Sequence, residues 1–227
     1  MNRMNRDLRA VIFDMDGVLI DSSEAHFQSW RRLGEALGCE VTQAQFRRTF
    51  GRQNRDVMPE LFGGAVQPGQ YDELGERKER YYREIIRGGV PAMAGAAELV
   101  RACFEAGFRC AIGSSGHPEN IALAVAGLGI ESYVSAIVTG RDVTMGKPNP
   151  EVFLTAAARI EVEPNACAVI EDAPAGVEAA LAAGMTAVAV TSEHPRERLS
   201  HAHLIVDRLA DLAPSGLMAA HRDRSAG

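Results

Sequence analysis

Two aspartates stand two positions apart near the start of the chain, directly after an apolar run. The run covers residues 10–13, the aspartates are Asp14 and Asp16, and Gly17 follows. A short apolar run that a turn residue closes is typical of a buried strand. In open α/β sheets, ligands bind at the carboxyl ends of the strands, so we expect both aspartates at the mouth of a cleft. A strand repeats every two residues, which would place both side chains on one side.

The close spacing of these two carboxylates predicts a bound cation or a shared proton. Like charges at this distance repel each other, so one group must be protonated or a cation must lie between them. Oxygen ligands at a strand end suit Mg²⁺, which takes one or two carboxylates and keeps waters and substrate phosphate. A carboxylate beside Mg²⁺ can also attack phosphorus and form an aspartyl-phosphate. An aspartate that only caps the next helix is the alternative that the pair alone leaves open.

Three further polar groups follow other apolar runs. Ser114 and Ser115 lie in a Gly-Ser-Ser-Gly turn, whose hydroxyl and N–H groups can hold a phosphate before a helix. Lys147 lies in a loop that two prolines stiffen, where it could bind a phosphoryl oxygen. Glu171 and Asp172 end another apolar run and could complete the metal site. Taken singly, each group could also be a helix cap, a plain loop or a solvated lysine.

Composition and charge exclude several classes of protein. The 227 residues are 46% hydrophobic and 24% charged, which is ordinary for a soluble globular protein of one large or two small domains. The formal net charge is −6 without a basic run, which argues against nucleic acid and membrane partners. No stretch approaches the ~20 apolar residues of a membrane span, and the polar start lacks the apolar segment of a signal peptide. We therefore expect a cytoplasmic protein.

The cysteines indicate a reducing compartment. None of the four stands in a Cys-x-x-Cys spacing, and most have apolar neighbours. We therefore expect free, buried thiols and neither disulfides nor zinc ligands. They are Cys39, Cys103, Cys110 and Cys167.

Strands and helices alternate through the second part of the chain, which predicts an α/β fold with a doubly wound parallel sheet. The expected strands cover residues 10–13, 108–112, 134–138, 166–170, 186–190 and 204–206. The expected helices between them cover residues 96–106, 118–128, 150–160 and 175–183.

The pattern of the segment between the first two strands predicts helices and no strand. Helices are expected at 21–38, from Thr42 to Gly51, at 56–61 and at 70–86, with Gln45 as the capping-box partner of Thr42. An insertion at the carboxyl end of the first strand would act as a lid. The predicted domains are a Rossmann-like core at 9–20 and 92–213, a helical cap at 21–91, and flexible tails at 1–8 and 214–227.

The order of the polar groups resembles the haloacid dehalogenase-like phosphohydrolases. The chain shows Asp-x-Asp, then a serine, then lysine in Lys-Pro-x-Pro, then Glu-Asp before a glycine-bearing helix, each after a predicted strand. The resemblance runs from residue 9 to about residue 212, and the helical insertion is similar to the family's cap. It implies a Mg²⁺-dependent enzyme that acts on a small phosphorylated metabolite.

The resemblance also implies a role for each group. Asp14 would be the nucleophile, and Asp16 would protonate the leaving oxygen and then activate water. Ser114 and Lys147 would bind the transferring phosphoryl group. The implied Mg²⁺ ligands are Asp14, the backbone carbonyl of Asp16, and Asp172, with Glu171 in or beside that shell. Relatives that cleave carbon–halogen bonds lack the second aspartate, so Asp16 indicates a phosphatase or phosphotransferase.

The start of the helical insertion is similar to the caps of β-phosphoglucomutase and related sugar phosphatases. His26 and Trp30 match that pattern by spacing, and His26 could assist proton transfer with Asp16. We count His26, Ser115, Arg52 and Arg55 as candidate substrate-binding residues.

A mutase needs cap cations for a second phosphate. Asn54 and Phe50 stand where such an arginine and lysine are expected, although Arg52 and Arg55 are near. We therefore predict a phosphatase for a sugar phosphate or a phosphoglycolate-like compound, with the mutase as the alternative. Oligomerisation beyond a monomer or weak homodimer is not expected.

Two kinds of binding module are alternatives to an enzyme. A calcium-binding EF-hand loop at Asp14 would need glycine and glutamate where the chain has Leu19 and Ala25. A receiver-type phosphoacceptor domain also uses an aspartate, a lysine and Mg²⁺, but its phosphoacceptor is not on the first strand and it has no helical lid.

Overall fold

The computed structural model of the chain describes residues 7–49 and 52–224. These residues form two compact units, one up to Asp21 and from Ala92 onward, the other from Ser22 to Pro91. Expectations that concern residues 1–6, Phe50, Gly51 and 225–227 lie outside the described residues.

Within the described residues, one parallel sheet is formed by β1 (Ala10–Phe13), β2 (Arg109–Gly113), β3 (Val134–Val138), β4 (Cys167–Glu171), β5 (Thr186–Val190) and β6 (Leu204–Val206). The strand order is β3-β2-β1-β4-β5-β6. Phe13 pairs with Ile112 of β2 and with Ile170 of β4, so the loops after these three strands start at one level. The α/β fold with a parallel sheet is thereby confirmed, and β1 lies between β2 and β4.

Buried strands explain why the apolar runs predicted the sheet so well. Each residue of β1, β4 and β5 is buried, because helices cover both faces of a parallel sheet. Ile12, Val169 and Ala187 share one core cluster with Phe153 and Val177 from the covering helices.

The Ser22–Pro91 unit contains α1 (Ser23–Leu37), α2 (Gln43–Thr49), α3 (Asn54–Phe62) and α4 (Tyr71–Ile86). Its core includes Trp30, Leu33 and Met58. The predicted capping box is present, since Thr42 N–H donates to Gln45 Oε1 at 2.9 Å and Gln45 N–H donates to Thr42 Oγ1 at 3.3 Å. Whether this unit acts as a cap stays a prediction.

The sheet unit contains α5 (Ala96–Glu105), α6 (Pro118–Leu128), α7 (Glu151–Arg159), α8 (Pro174–Ala182) and α9 (Pro214–Arg224). The last of these corrects the prediction of a flexible tail at 214–227, because residues 214–224 are helical. Leu217 is fully buried, and His221 Nδ1 lies 2.7 Å from Thr186 Oγ1 at the start of β5. The prediction of a tail at 1–8 is wrong at Leu8, which is buried.

The four thiols are free, as the sequence predicts, and three of them are buried. All four cysteines are free, with Cys39 partly exposed and Cys103, Cys110 and Cys167 buried. Burial raises the pKa of each buried thiol to about 12, so they are poor nucleophiles. No helix in the described part of the chain is long and apolar enough to cross a membrane.

Candidate active site

Three carboxylates and one lysine meet at the carboxyl edge of the sheet. Asp14 directly follows β1, Glu171 is the last residue of β4, and Asp172 comes next. Lys147 reaches them from the segment between β3 and α7: its Nζ lies 2.5 Å from Asp14 Oδ1 and 2.6 Å from Glu171 Oε1. One oxygen of each carboxylate lies within 4.8 Å of the others, and all three residues are buried.

The buried cluster carries more negative than positive charge. Burial raises the pKa of Asp14 to about 8, where the Lys147 charge opposes the shift and Glu171 and Asp16 add to it. Burial likewise raises the pKa of Asp172 to about 9, with Glu171 and Asp14 adding to the shift. A divalent cation would hold both aspartates ionised. Oxygen donors this close together fit Mg²⁺, and Asp14, Asp172 and Glu171 are the residues that could hold it.

Lys147 stays charged in this setting. Burial alone would lower the pKa of Lys147, but the carboxylates of Asp14 and Glu171 outweigh burial and hold that pKa above its ordinary value. A permanently protonated amine beside Asp14 can bind a phosphoryl oxygen as a point charge.

Glu171 is held by its own loop. Its Oε2 accepts the N–H groups of Asp172 at 2.9 Å and Ala173 at 3.0 Å, while its Oε1 accepts from Lys147. Gly176 leaves room for this carboxylate, because a Cβ at that position would lie 1.9 Å from Oε1. Glu171 therefore orients Lys147 as well as adding a potential metal ligand.

The loop that carries Asp16 is fixed from both sides. Gly17 has φ +77°, and a Cβ there would lie 2.2 Å from Asp172 Oδ2. Its carbonyl accepts a 2.6 Å hydrogen bond from Ser192 Oγ in the loop after β5. Ser192 is not among the predicted site residues; its indication in the sequence is its position just beyond a predicted strand.

The serines after β2 differ in exposure. Ser114 is buried, and its Oγ accepts the N–H of Gly116 at 3.0 Å. Ser115 is exposed. Asp16 is half-buried, and its charge adds a smaller part to the raised pKa of Asp14, which burial dominates. Ser114 and Asp16 thus lie on loops at the same edge of the sheet as the cluster.

In the helical unit, His26 is part of a buried polar network. Its ring stacks on Tyr82 with the centroids 4.1 Å apart, and its Nδ1 lies 2.7 Å from Lys78 Nζ. Lys78 also donates to Glu79 Oε1 at 2.9 Å, and Asn54 Nδ2 donates to the same oxygen at 2.7 Å. The role of His26 in proton transfer stays a prediction.

The two candidate arginines of the helical unit are exposed and ion-paired. Arg52 contacts Glu60 at 2.9 Å and donates to the Asp56 carbonyl at 2.9 Å. Arg55 lies 3.3 Å from Asp72. Each arginine therefore has a carboxylate partner within its own unit.

Gly176→Ala is expected to reduce hydrolysis of p-nitrophenyl phosphate by about 10²-fold, because it displaces the carboxylate that orients Lys147. The overpacking should also lower the free energy of unfolding by about 1–3 kcal/mol. Gly216→Ala is the matched control, since Gly216 is likewise the third residue of a helix that begins with proline and its Cβ would meet nothing within 4 Å. Equal activity in the two variants would contradict the role given to Glu171.

Comparisons with known proteins identify the family. A family model described as haloacid dehalogenase-like hydrolase matches residues 8–184. β-Phosphoglucomutase of Bacillus subtilis (strain 168) is 34% identical over 212 residues, which cover 90% of this chain and 92% of the relative. A phosphorylated carbohydrates phosphatase of Thermotoga maritima is 32% identical over 182 residues, 78% of this chain and 82% of the relative.

Solved structures show the same fold. The crystal structure of β-phosphoglucomutase from Clostridium difficile superposes with a TM-score of 0.85 at 24% identity, covering 97% of this chain and all of that one. Because the family model covers most of the chain and both relatives align along most of it, the chain belongs to the haloacid dehalogenase-like hydrolases and is an enzyme of that family.

Proposed function

We propose that the protein is a Mg²⁺-dependent phosphatase that cleaves a small phosphorylated metabolite through an aspartyl-phosphate on Asp14. The observation that carries the proposal is the Lys147 ammonium bound to Asp14 at the end of β1, inside a cluster of buried carboxylates. This arrangement pairs a nucleophile with a fixed cation for the phosphoryl oxygens.

The reaction proceeds in two displacements. An Asp14 carboxylate oxygen attacks phosphorus, the ester P–O bond breaks, and Asp16 gives its proton to the leaving oxygen. Asp16 then takes a proton from water, the water oxygen attacks phosphorus, and the bond between phosphorus and Asp14 breaks to release phosphate. Each step moves one proton, and Asp16 ends in its starting state.

The other residues stabilise charge. Lys147 binds a phosphoryl oxygen, Ser114 holds a second one, and Glu171 keeps Lys147 in place. When bound, Mg²⁺ supplies positive charge that offsets the repulsion between a carboxylate and a phosphate dianion. Asp14, Asp172 and Glu171 would hold it, and the backbone carbonyl of Asp16 is proposed to join them.

Ion pairing in the helical unit favours a phosphatase over a mutase. Arg52 and Arg55 already pair with carboxylates, and the buried Lys78 pairs with Glu79. A second phosphate would have to displace these partners, at an electrostatic cost. β-Phosphoglucomutase activity remains the second candidate, because a relative with that name aligns along most of the chain.

A phosphate-release screen tests the proposal. Phosphorylated metabolites are incubated with Mg²⁺ or with EDTA, and β-glucose 1-phosphate with a bisphosphate activator is assayed in parallel for glucose 6-phosphate. We expect Mg²⁺-dependent phosphate release from sugar phosphates or from phosphoglycolate. Isomerisation without phosphate release would establish the mutase, and turnover that EDTA leaves unchanged would overturn the Mg²⁺ requirement.

Three features remain predictions at this point: the action of residues 21–91 as a lid that selects the substrate, the cytoplasmic location, and the monomeric or weakly dimeric state.

A further inference from the structure

A second polar cluster lies outside the catalytic groups. His117 stands just before α6, and Arg141 lies in the loop after β3. Arg141 Nη2 is 2.7 Å from His117 Nε2, His117 Nδ1 contacts Glu119 Oε2, and Arg141 Nη1 is 3.9 Å from Glu119 Oε1. Arginine can only donate, so His117 Nε2 accepts and the ring proton sits on Nδ1, facing Glu119. Glu119 and Arg141 carry opposite charges, and His117 lies between them.

The two loops that carry the cluster are fixed to each other. Gly140 N–H donates to the Gly116 carbonyl at 3.2 Å, and a Cβ on Gly140 would lie 2.5 Å from the Ser115 carbonyl. The Asp142 carboxylate accepts both the N–H of Thr139 at 2.8 Å and its hydroxyl at 2.6 Å. Hydrogen bonds therefore fix the backbone of the loops that carry the cluster.

The same two loops hold the proposed phosphoryl-binding residues. His117 follows Ser114 by three positions, and Arg141 precedes Lys147 by six. Both loops leave the carboxyl edge of the sheet, on the side where β2 adjoins β1. The cluster therefore shares the carboxyl edge of the sheet with Asp14 and Ser114.

Accessibility and charge define what this cluster can recognise. The Glu119 and Arg141 side chains are 54% and 57% exposed, while His117 is mostly buried between them. A carboxylate acceptor beside a guanidinium donor suits hydroxyl groups, which both give and take a hydrogen bond. Glu119 offsets the charge of Arg141, so the pair does not favour a second phosphate or a carboxylate.

On the basis of the proposed function, we propose that His117, Glu119 and Arg141 form a specificity site for the hydroxyl groups of an uncharged leaving group. The enzyme would then prefer monophosphates of sugars or polyols over bisphosphates and phosphorylated carboxylic acids. Glu119 and Arg141 contact the leaving group, and His117 positions Arg141.

Kinetics on three probe classes test this site. Wild type, Glu119→Gln, Arg141→Gln and the control Arg208→Gln are assayed with a panel of sugar monophosphates, with 2-phosphoglycolate and with p-nitrophenyl phosphate. Arg208 is also exposed and paired with an acidic residue, Asp211, outside the cluster. Losing a hydrogen bond from a charged group should lower kcat/KM for the best sugar monophosphate by about 10-fold or more, mainly through KM. Turnover of p-nitrophenyl phosphate should stay within about twofold, since that ester offers no hydroxyl group for the site.

The direction in which kcat/KM changes in one variant distinguishes a recognition site from a cluster with a structural role alone. Glu119→Gln gives the cluster a net positive charge, so kcat/KM for 2-phosphoglycolate should rise while that for the sugar phosphate falls. Parallel losses on every probe would show a structural role and overturn the specificity site. Unchanged kinetics with sugar phosphates would also overturn it and leave the proposed phosphatase standing. If wild type releases no phosphate even from p-nitrophenyl phosphate, the proposed function fails, and the inference fails with it.

Discussion

Asp14→Asn is expected to lower phosphate release by a factor on the order of 10⁴ or more, because the amide cannot attack phosphorus. The fold should remain, since asparagine has the same shape and replaces a carboxyl that burial makes difficult to ionise, while Lys147 keeps Glu171 as its partner. Without Mg²⁺ the variant should unfold at the same temperature as wild type or higher. Phosphate release and thermal unfolding measured on the same preparations check both statements.

Two further variants make this test specific. Asp207→Asn is the control for the chemistry of the substitution, since Asp207 is exposed, pairs with Arg196 and is not one of the clustered carboxylates, and its activity should match wild type. Asp16→Asn should form phosphoenzyme slowly and retain it, because no base activates water. Substantial turnover by Asp14→Asn, or phosphoenzyme that clears at the normal rate in Asp16→Asn, would remove these residues from their roles.

Much of the sheet was predictable because β1, β4 and β5 are buried on both faces. Such strands read as short apolar runs, and the predicted segments 10–13 and 186–190 match β1 and β5 residue for residue. The helix α9 was not predicted, since few of its residues are buried and most of its side chains are small or polar. The burial of Leu217 and the hydrogen bonds of His221 and Arg224 with Thr186 make the segment an ordered element.

The catalytic cluster was predictable for a related reason. Asp14, Glu171 and Asp172 end apolar runs, and a parallel sheet brings the carboxyl ends of its strands to one edge. Ser192 and the Lys78 network were not predictable from the sequence. Ser192 contacts a residue that lies 175 positions away along the chain, and Lys78 contacts one that lies 52 positions away. No local pattern encodes such pairs, whereas strand ends are visible in the sequence.

Glu79→Gln should destabilise the helical unit by about 3 kcal/mol, since it leaves the Lys78 ammonium buried without its counter-charge. The matched control is Glu84→Gln on the same helix: Glu84 pairs with Arg32 of α1 at 2.6 Å, but both side chains are about half exposed. Removing that exposed pair should cost about 1 kcal/mol or less. Trp30, the only tryptophan of the chain, lies in the core of this unit, so its fluorescence during urea unfolding reports the loss directly.

The pH dependence distinguishes a charge effect from a packing effect. Burial would raise the pKa of Glu79, but Lys78, His26 and Asn54 outweigh it and hold that pKa well below the ordinary value. A carboxyl whose pKa is lower in the folded state stabilises the fold above its unfolded pKa of about 4.3 and loses that contribution as the pH falls. The difference between wild type and Glu79→Gln should therefore be full at neutral pH and shrink as the solution becomes more acidic than about pH 4. A difference that stays constant with pH would mean that the amide disturbs packing, and equal losses in Glu79→Gln and Glu84→Gln would mean that burial adds nothing to the Lys78 pair.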